Sequence, residues 1–203
     1  TPYRIKAQLD NSGTYEDIAH STSYDFDYPR ALSGGLNVPF FSIYLPADTE
    51  EAGTSFKLAN ELIDLMNSII EANPDKFFLI DTSTYLGNLP GQNLVGIAYG
   101  MENGAALEGD LTNVSYFYER GIRYITLTHA KSNHISDSSY DENKQWGGLS
   151  DFGKVLIPEM NKVGIMVDVS HVSDAAFLQA IDISDTPVIA SHSSLRHFTP
   201  EWE

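Results

Sequence analysis

The clearest hydrophobic pattern in the chain lies toward its carboxyl end. Two short β-branched runs, residues 165–169 and 186–190, flank a segment with helical spacing of apolar residues, and Ser173 can cap that helix. One face of the predicted helix is apolar: Phe177, Ala180 and Ile181. Each run stops at a Ser-His pair, the first at His171 and the second at His192. Because strand–helix–strand units form parallel sheets, we expect both histidines at the carboxyl edge of one sheet.

The same alternation runs through the earlier part of the chain. It predicts strands over residues 38–44, 77–80, 94–101 and 122–128, and helices over residues 54–71, 110–121 and 152–163. Pro158 lies inside the last helix and is expected to kink it or shift its start. Residues 1–35 are polar and are expected to be irregular. The alternation indicates the α/β class, either as a (β/α)8 TIM-type barrel or as an open doubly wound sheet.

Successive predicted strands end in residues that can do chemistry. These are Glu102, His129, His171 and His192, each preceded on its strand face by small or apolar side chains. Closure of the strands into a barrel would gather these tips around one axis. Imidazole and carboxylate groups together suit zinc and similar divalent ions. Glu102 with two histidines would satisfy a single catalytic zinc, and its carboxylate could instead bridge two ions.

A serine nucleophile is the competing chemistry. The candidates are Ser170, Ser191 and Ser193, but the chain has no GxSxG motif of the kind that exposes such a serine on a strand-to-helix turn. Of the remaining histidines, His20 is expected to be a surface or structural residue, and His134 and His197 are expected at solvent-exposed loop positions.

Composition limits the classes of partner and the types of metal ligand that this chain can have. The 203 residues carry a formal net charge of −16, which argues against nucleic acid or an anionic membrane surface as a partner. Cysteine is absent, so any metal must be bound by nitrogen and oxygen. No apolar run approaches the roughly 20 residues of a membrane span. The cellular compartment stays open.

Several ordered segments resemble one known family. They are DYPRALSGGLNVPFFSIYLP, GIAYGMENGAALEGDL, YERGIRYITLTHAKSN, GLSDFGKVLIPEMNKVGIMVDVSHVSDAAF and PVIASHSS. Together they resemble the membrane (renal) dipeptidase family of zinc peptidases over most of the chain. The resemblance implies a (β/α)8 barrel that hydrolyses dipeptides with a metal-bridging hydroxide at a site holding two zinc ions.

The resemblance also implies roles for the residues at the strand tips. Glu102 would bridge the two ions, His171 and His192 would bind the second ion, and His129 would contact the scissile carbonyl of the substrate. The family's first ion needs a His-x-Asp pair that we expect immediately before Thr1. The family's substrate-binding arginine and general-acid aspartate are expected beyond Glu203, because Arg196 follows the SHSS motif too closely.

The expectation is therefore a single metallo-dipeptidase barrel domain over residues 1–203, incomplete at both ends and inactive by itself. Two alternatives remain open. One is a metal-dependent hydrolase of another amide, an ester or a lactone on the same barrel. The other is an inactive metal-binding fragment. A homodimer is left open as the assembly.

Overall fold

The computed structural model describes residues 1–81 and 93–199 of the chain. Its helices are α1 (Pro2–Ser12), α2 (Tyr28–Ser33), α3 (Asp48–Glu51), α4 (Ser55–Ala72), α5 (Thr112–Glu119), α6 (Asp151–Val163) and α7 (Asp174–Ile183). Its strands are β1 (Phe40–Tyr44), β2 (Phe77–Leu79), β3 (Val95–Glu102), β4 (Ile122–Thr126) and β5 (Met166–Asp168), with a 3-10 helix at Gly104–Leu107. The predicted helices are present, and β1 to β4 correspond to the strands predicted over residues 38–44, 77–80, 94–101 and 122–128. The α/β class is confirmed.

The residues divide into two compact units. The first comprises Thr1–Ile43 and Asn60–Tyr99, and the second comprises Tyr44–Ala59 and Gly100–Glu203. Within the first unit, β2 pairs in parallel with β3, Phe77 opposite Val95. The backbone N–H of Gly96 donates to the carbonyl of Asn37, just before β1. The apolar face of α4 is fully buried, as its 3.6-residue period predicts: Leu62, Ile63 and Met66.

Helix α1 is the longest of three helices that the sequence prediction missed, the others being α2 and α3. Thr1 caps it by accepting a hydrogen bond from the N–H of Arg4, and Pro2 occupies its first turn, where a missing N–H costs nothing. Gly13 ends it with a left-handed backbone at φ 72°. These are ordinary helix start and stop signals. The expectation of an irregular segment over residues 1–35 was wrong because it was based on the polar composition and did not consider the helix-capping residues.

The second unit contains the carboxyl end of β3 and the whole of β4 and β5. The end of β3, then β4, then β5 lie side by side, and β4 is parallel to β5 with Thr126 opposite Asp168. Helix α6 contacts β5, α5 and α7. Because the strands are parallel, the residues that follow them emerge at one edge. Pro158 lies inside α6, which begins at Asp151 as a continuous helix, so the expected shift of its start does not occur.

Two predictions near the carboxyl end were wrong in detail. Residues 186–190 form no strand; they reach β5 through one parallel bridge, in which Ile189 donates to Val167 at 2.9 Å and accepts from Val169 at 2.8 Å. In α7, the small residues Ala176 and Ala180 are buried, whereas Phe177 and Ile181 are 39% and 45% exposed. The helix therefore packs through its alanines, which permit a close approach to α6. No helix in the described ranges is long and apolar enough to cross a membrane.

Candidate metal centre

The chemically active residues of the strand tips converge on one carboxylate oxygen. Glu102 Oε1 lies 3.2 Å from His129 Nε2, 3.6 Å from His171 Nε2 and 3.4 Å from His192 Nε2. The Nε2 atoms of His171 and His192 are 2.6 Å apart. Glu102, His171 and His192 each offer one ligand atom, and these atoms all lie within 4.8 Å of one another. Two imidazole nitrogens and one carboxylate form a donor set that can hold a divalent cation.

Each of these side chains is placed by the end of a strand or by the segment that follows it. Glu102 is the last residue of β3, and its carbonyl accepts a hydrogen bond from Leu45 N–H at 3.1 Å. His129 follows the end of β4. His192 follows the bridge at Ile189. The structure thus brings the four predicted residues close together, although neither His171 nor His192 directly ends a strand.

His171 reaches the centre by a route that strand alternation does not describe. Strand β5 ends at Asp168, and His171 has a left-handed backbone with φ 68°, which is uncommon for a residue other than glycine. The N–H of Ser139 donates to the His171 carbonyl at 2.8 Å, and Ser138 forms an antiparallel bridge with Val172. The loop after β4 therefore holds His171 in this conformation. Such strain is often found at functional sites.

That loop is itself built around a buried carboxylate. Asp137 is 1% exposed and accepts hydrogen bonds from the N–H groups of Gln145, Trp146 and Gly148. Burial opposes its ionisation, but these bonds outweigh burial and hold the pKa of Asp137 below its ordinary value. The polar loop over residues 130–148 is thus anchored at its centre.

A second buried carboxylate, Asp168, connects the two Ser-His pairs. Its Oδ1 accepts from the N–H of Ser170 at 3.1 Å and of Ser191 at 2.9 Å. Its Oδ2 accepts from the hydroxyls of Thr126 and Ser191, both at 2.6 Å. Ser191 Oγ in turn lies 2.7 Å from His192 Nδ1. Sequence reasoning missed Asp168, although an aspartate two residues before a Ser-His pair at a strand end was a readable signal.

The same contacts bear on the serine alternative. Here the order is acid, serine, histidine, whereas in a catalytic triad the histidine lies between the acid and the nucleophile. Ser170 donates its hydroxyl to Asp168 as well, at 3.0 Å. Both hydroxyls donate to Asp168 and not to a histidine that could accept their proton as a base, so the geometry disfavours a serine nucleophile.

His129 differs from the other two histidines in its surroundings. Its Nδ1 is buried and has no hydrogen-bond partner among the described residues, and its Nε2 faces the Glu102 carboxylate. The Tyr44 ring packs edge-on against the imidazole, with ring centroids 4.9 Å apart. Because the carboxylate can accept a hydrogen bond and nothing in the described residues accepts one from Nδ1, the neutral ring is more stable with its proton on Nε2. His129 is therefore a hydrogen-bond donor toward the centre.

Tyr124 on β4 is a buried tyrosine that interacts with Glu102, Asp168 and Ser191. Burial raises the pKa of Tyr124 to about 12, and the carboxylates of Asp168 and Glu102 add to the effect, while a hydrogen bond with Ser191 opposes it. The phenol therefore keeps its proton at neutral pH. A Cβ at Gly100 would lie 2.0 Å from the Tyr124 ring, so only glycine leaves room for it there.

The remaining histidines lie away from the three-residue cluster. His20 is 71% exposed and faces Asp17, and His197 is exposed, as expected. His134 is not exposed as expected: its side chain is 24% exposed, and its Nδ1 lies 2.9 Å from Glu50 Oε1. Arg196 pairs with Asp174 on the surface.

Comparison with known proteins matches the chain to one family. The model of the membrane dipeptidase family, peptidase family M19, matches residues 1–202. Dipeptidase 3 of Mus musculus is 33% identical over 199 residues, covering 96% of this chain and 39% of its own. Dipeptidase aclJ of Aspergillus oryzae is 31% identical over 185 residues, covering 86% of this chain and 43% of its own.

A solved structure shares the fold. It is a metallopeptidase from Rhodobacter sphaeroides liganded with a phosphinate mimic of the dipeptide L-Ala-D-Ala, with a TM-score of 0.80 and 20% identity. The match covers 95% of this chain and 63% of that one. The fold is thus of the TIM-barrel type of these dipeptidases, and the chain spans less than half the length of the two curated relatives above. The chain belongs to the membrane dipeptidase family, peptidase family M19.

Proposed function

We propose that the full-length protein is a zinc-dependent dipeptidase and that this chain is part of its single metallo-dipeptidase domain. The observation that carries the proposal is the convergence of Glu102 Oε1 with the Nε2 atoms of His171 and His192. Relatives named dipeptidases support it, and so does the related structure that holds a dipeptide mimic. The proposed substrate is therefore a dipeptide, and the homodimer stays a prediction.

The donor set fits a zinc ion. Zinc is bound by neutral imidazole and carboxylate, and a catalytic site has three protein ligands with one open position. In this proposal His171 and His192 each give Nε2, and Glu102 gives Oε1. Since a carboxylate has a second oxygen, Glu102 is also the residue that would bridge a second ion. The chain has no cysteine to compete for the metal.

Bound zinc would lower the pKa of a coordinated water toward neutrality and so supply the nucleophile for attack on the peptide carbonyl. His129 would donate its Nε2 proton to the carbonyl oxygen, where negative charge develops during the attack. Tyr44, against the imidazole face, restricts the rotation of that ring. Because the proton of His129 points toward the centre, this residue suits a donor better than a metal ligand.

The test uses the full-length protein. We expect chelation to abolish dipeptide hydrolysis and zinc to restore it, with a dipeptide panel cleaved in preference to lactones and esters. The isolated 203-residue segment should show no hydrolysis. Full turnover after chelation, or faster turnover of lactones than of every dipeptide, would contradict the proposal. His20→Asn, at an exposed position, is the matched control for histidine loss and should change neither zinc content nor rate.

A further inference from the structure

The imidazole of His192 is connected through Ser191 to the buried carboxylate of Asp168. Ser191 Oγ lies 2.6 Å from Asp168 Oδ2 and 2.7 Å from His192 Nδ1. Asp168 is 0% exposed, so it has no access to water and must satisfy its charge with protein donors. These three residues form the Asp168–Ser191–His192 relay.

Proton counting fixes the direction of each bond in the relay. Asp168 accepts two backbone N–H groups on Oδ1, and backbone N–H groups can only donate. Its carboxylate therefore acts as an acceptor, and the single hydroxyl proton of Ser191 goes to Oδ2. Ser191 Oγ then has only lone pairs left for His192, so His192 Nδ1 must carry the proton that it donates.

The direction of these bonds decides what His192 presents to the centre. With its proton on Nδ1, a neutral imidazole has a lone pair on Nε2, and that atom lies 3.4 Å from Glu102 Oε1 and 2.6 Å from His171 Nε2. In an imidazole without a fixed hydrogen-bond partner the proton can sit on either nitrogen. Here the relay removes that freedom before any metal binds.

We propose that Asp168 is a positioning residue that fixes His192, through Ser191, in the Nδ1–H tautomer and so prepares Nε2 as a metal ligand. The inference rests on the proposed metal centre, but its structural part does not. Asp168 also accepts from Thr126 on β4 and from Ser170 beside His171, so one carboxylate ties together the segments that carry both histidines. Partners that orient a metal-bound histidine typically change metal affinity about 10- to 100-fold when removed.

The first experiment reads the tautomer in the metal-free protein. Two-bond ¹H–¹⁵N correlation spectra of histidine-labelled full-length protein, recorded where His192 is neutral, should show the Nδ1–H tautomer in the wild type. Ser191→Ala should shift His192 toward the Nε2–H tautomer, and Ser191→Thr, which keeps the hydroxyl, should restore Nδ1–H. Ser193→Ala is the matched control, because Ser193 contacts the Ser170 hydroxyl and not the His192 ring. An Nε2–H tautomer in the wild type would overturn the inference.

The second experiment measures zinc affinity by competition with a chelating dye. Ser191→Ala should weaken zinc binding about 10- to 100-fold while Ser191→Thr binds as the wild type does. Asp168→Asn should match or exceed the effect of Ser191→Ala. If that variant does not fold, the serine pair still decides the question. Unchanged affinity in Ser191→Ala would overturn the positioning role.

The two experiments also separate this inference from the proposed function. A tautomer that responds to Ser191→Ala in a protein that binds no zinc would support the relay and refute the metal centre. A zinc-dependent dipeptidase whose His192 tautomer ignores Ser191→Ala would refute the relay alone.

Discussion

His171 and His192 place their Nε2 atoms 2.6 Å apart, although 21 positions separate them in sequence. Their backbones reach this point differently. His171 is held in a left-handed conformation at φ 68°, and His192 follows a single parallel bridge at the edge of β5. Two imidazole nitrogens this close, with the Glu102 carboxylate beside them, form a donor set that can hold a divalent cation.

Replacing His171 by asparagine should separate the fold from the metal centre. Asparagine tolerates a left-handed backbone better than most residues, so His171→Asn should keep the thermal unfolding midpoint within a few degrees. Its zinc content should fall, and kcat/KM should drop by about 100-fold or more, since losing even a residue that only orients a ligand costs about 10- to 100-fold. Elemental analysis measures the zinc content, and dipeptide hydrolysis assays measure kcat/KM. Wild-type zinc content and turnover in this variant would refute His171 as a ligand.

Replacing His129 should lower turnover without lowering zinc content. Because its proton faces the centre and it acts as a donor, His129→Ala should lower kcat by about 100- to 1,000-fold, the usual effect of removing one donor to a developing oxyanion. Its zinc content should stay that of the wild type. Steady-state kinetics with elemental analysis of the same sample would check this. Loss of a zinc equivalent would instead identify His129 as a metal ligand.

The close approach of Gly100 and Tyr124 predicts a stability effect without any change of charge. A Cβ at position 100 would lie 2.0 Å from the ring, so Gly100→Ala must displace a buried tyrosine. We expect the free energy of unfolding to fall by about 1–3 kcal/mol, as for other overpacked cores. Urea unfolding of Gly100→Ala, Tyr124→Leu and the double variant measures this. Because the smaller leucine leaves room for the new methyl, the double variant should lose less than the sum of the single variants. Strict additivity would contradict the contact.

Asp137 should make stability depend on pH in the acid range. The pKa of Asp137 is lower in the folded protein than its ordinary value, so its stabilising contribution is full above that ordinary value and disappears as the pH falls through the folded pKa. Asp137→Asn should therefore lower the free energy of unfolding near neutrality, by about 2 kcal/mol for hydrogen bonds to a charged group. The difference from the wild type should shrink below about pH 4. Glu142→Gln, exposed in the same loop, is the control and should show no such difference.

Sequence reasoning found the site because parallel strands release their carboxyl ends at one edge. The site residues could be grouped without any knowledge of side-chain packing: Glu102, His129, His171 and His192. It could not find the left-handed backbone of His171, which depends on a hydrogen bond from Ser139 in a distant loop. Tertiary contacts of this kind do not produce a periodic pattern of apolar and polar residues in the sequence.

The predictions that failed did so because local pattern was given too much weight. The apolar run at 186–190 has β-branched residues, yet only Ile189 finds a partner on β5. The predicted apolar face of α7 comprises Phe177, Ala180 and Ile181, but of these only Ala180 is buried, together with Ala176. Helix α1, by contrast, was readable from its Thr-Pro start and its glycine end.

Anomalous X-ray diffraction at the zinc edge from crystals of the zinc-loaded full-length protein tests the central claim most directly. The account predicts an anomalous peak about 2.0–2.1 Å from the Nε2 atoms of His171 and His192, with a Glu102 oxygen completing the contact. A zinc peak that lies elsewhere, with these three side chains out of reach of it, would contradict the account.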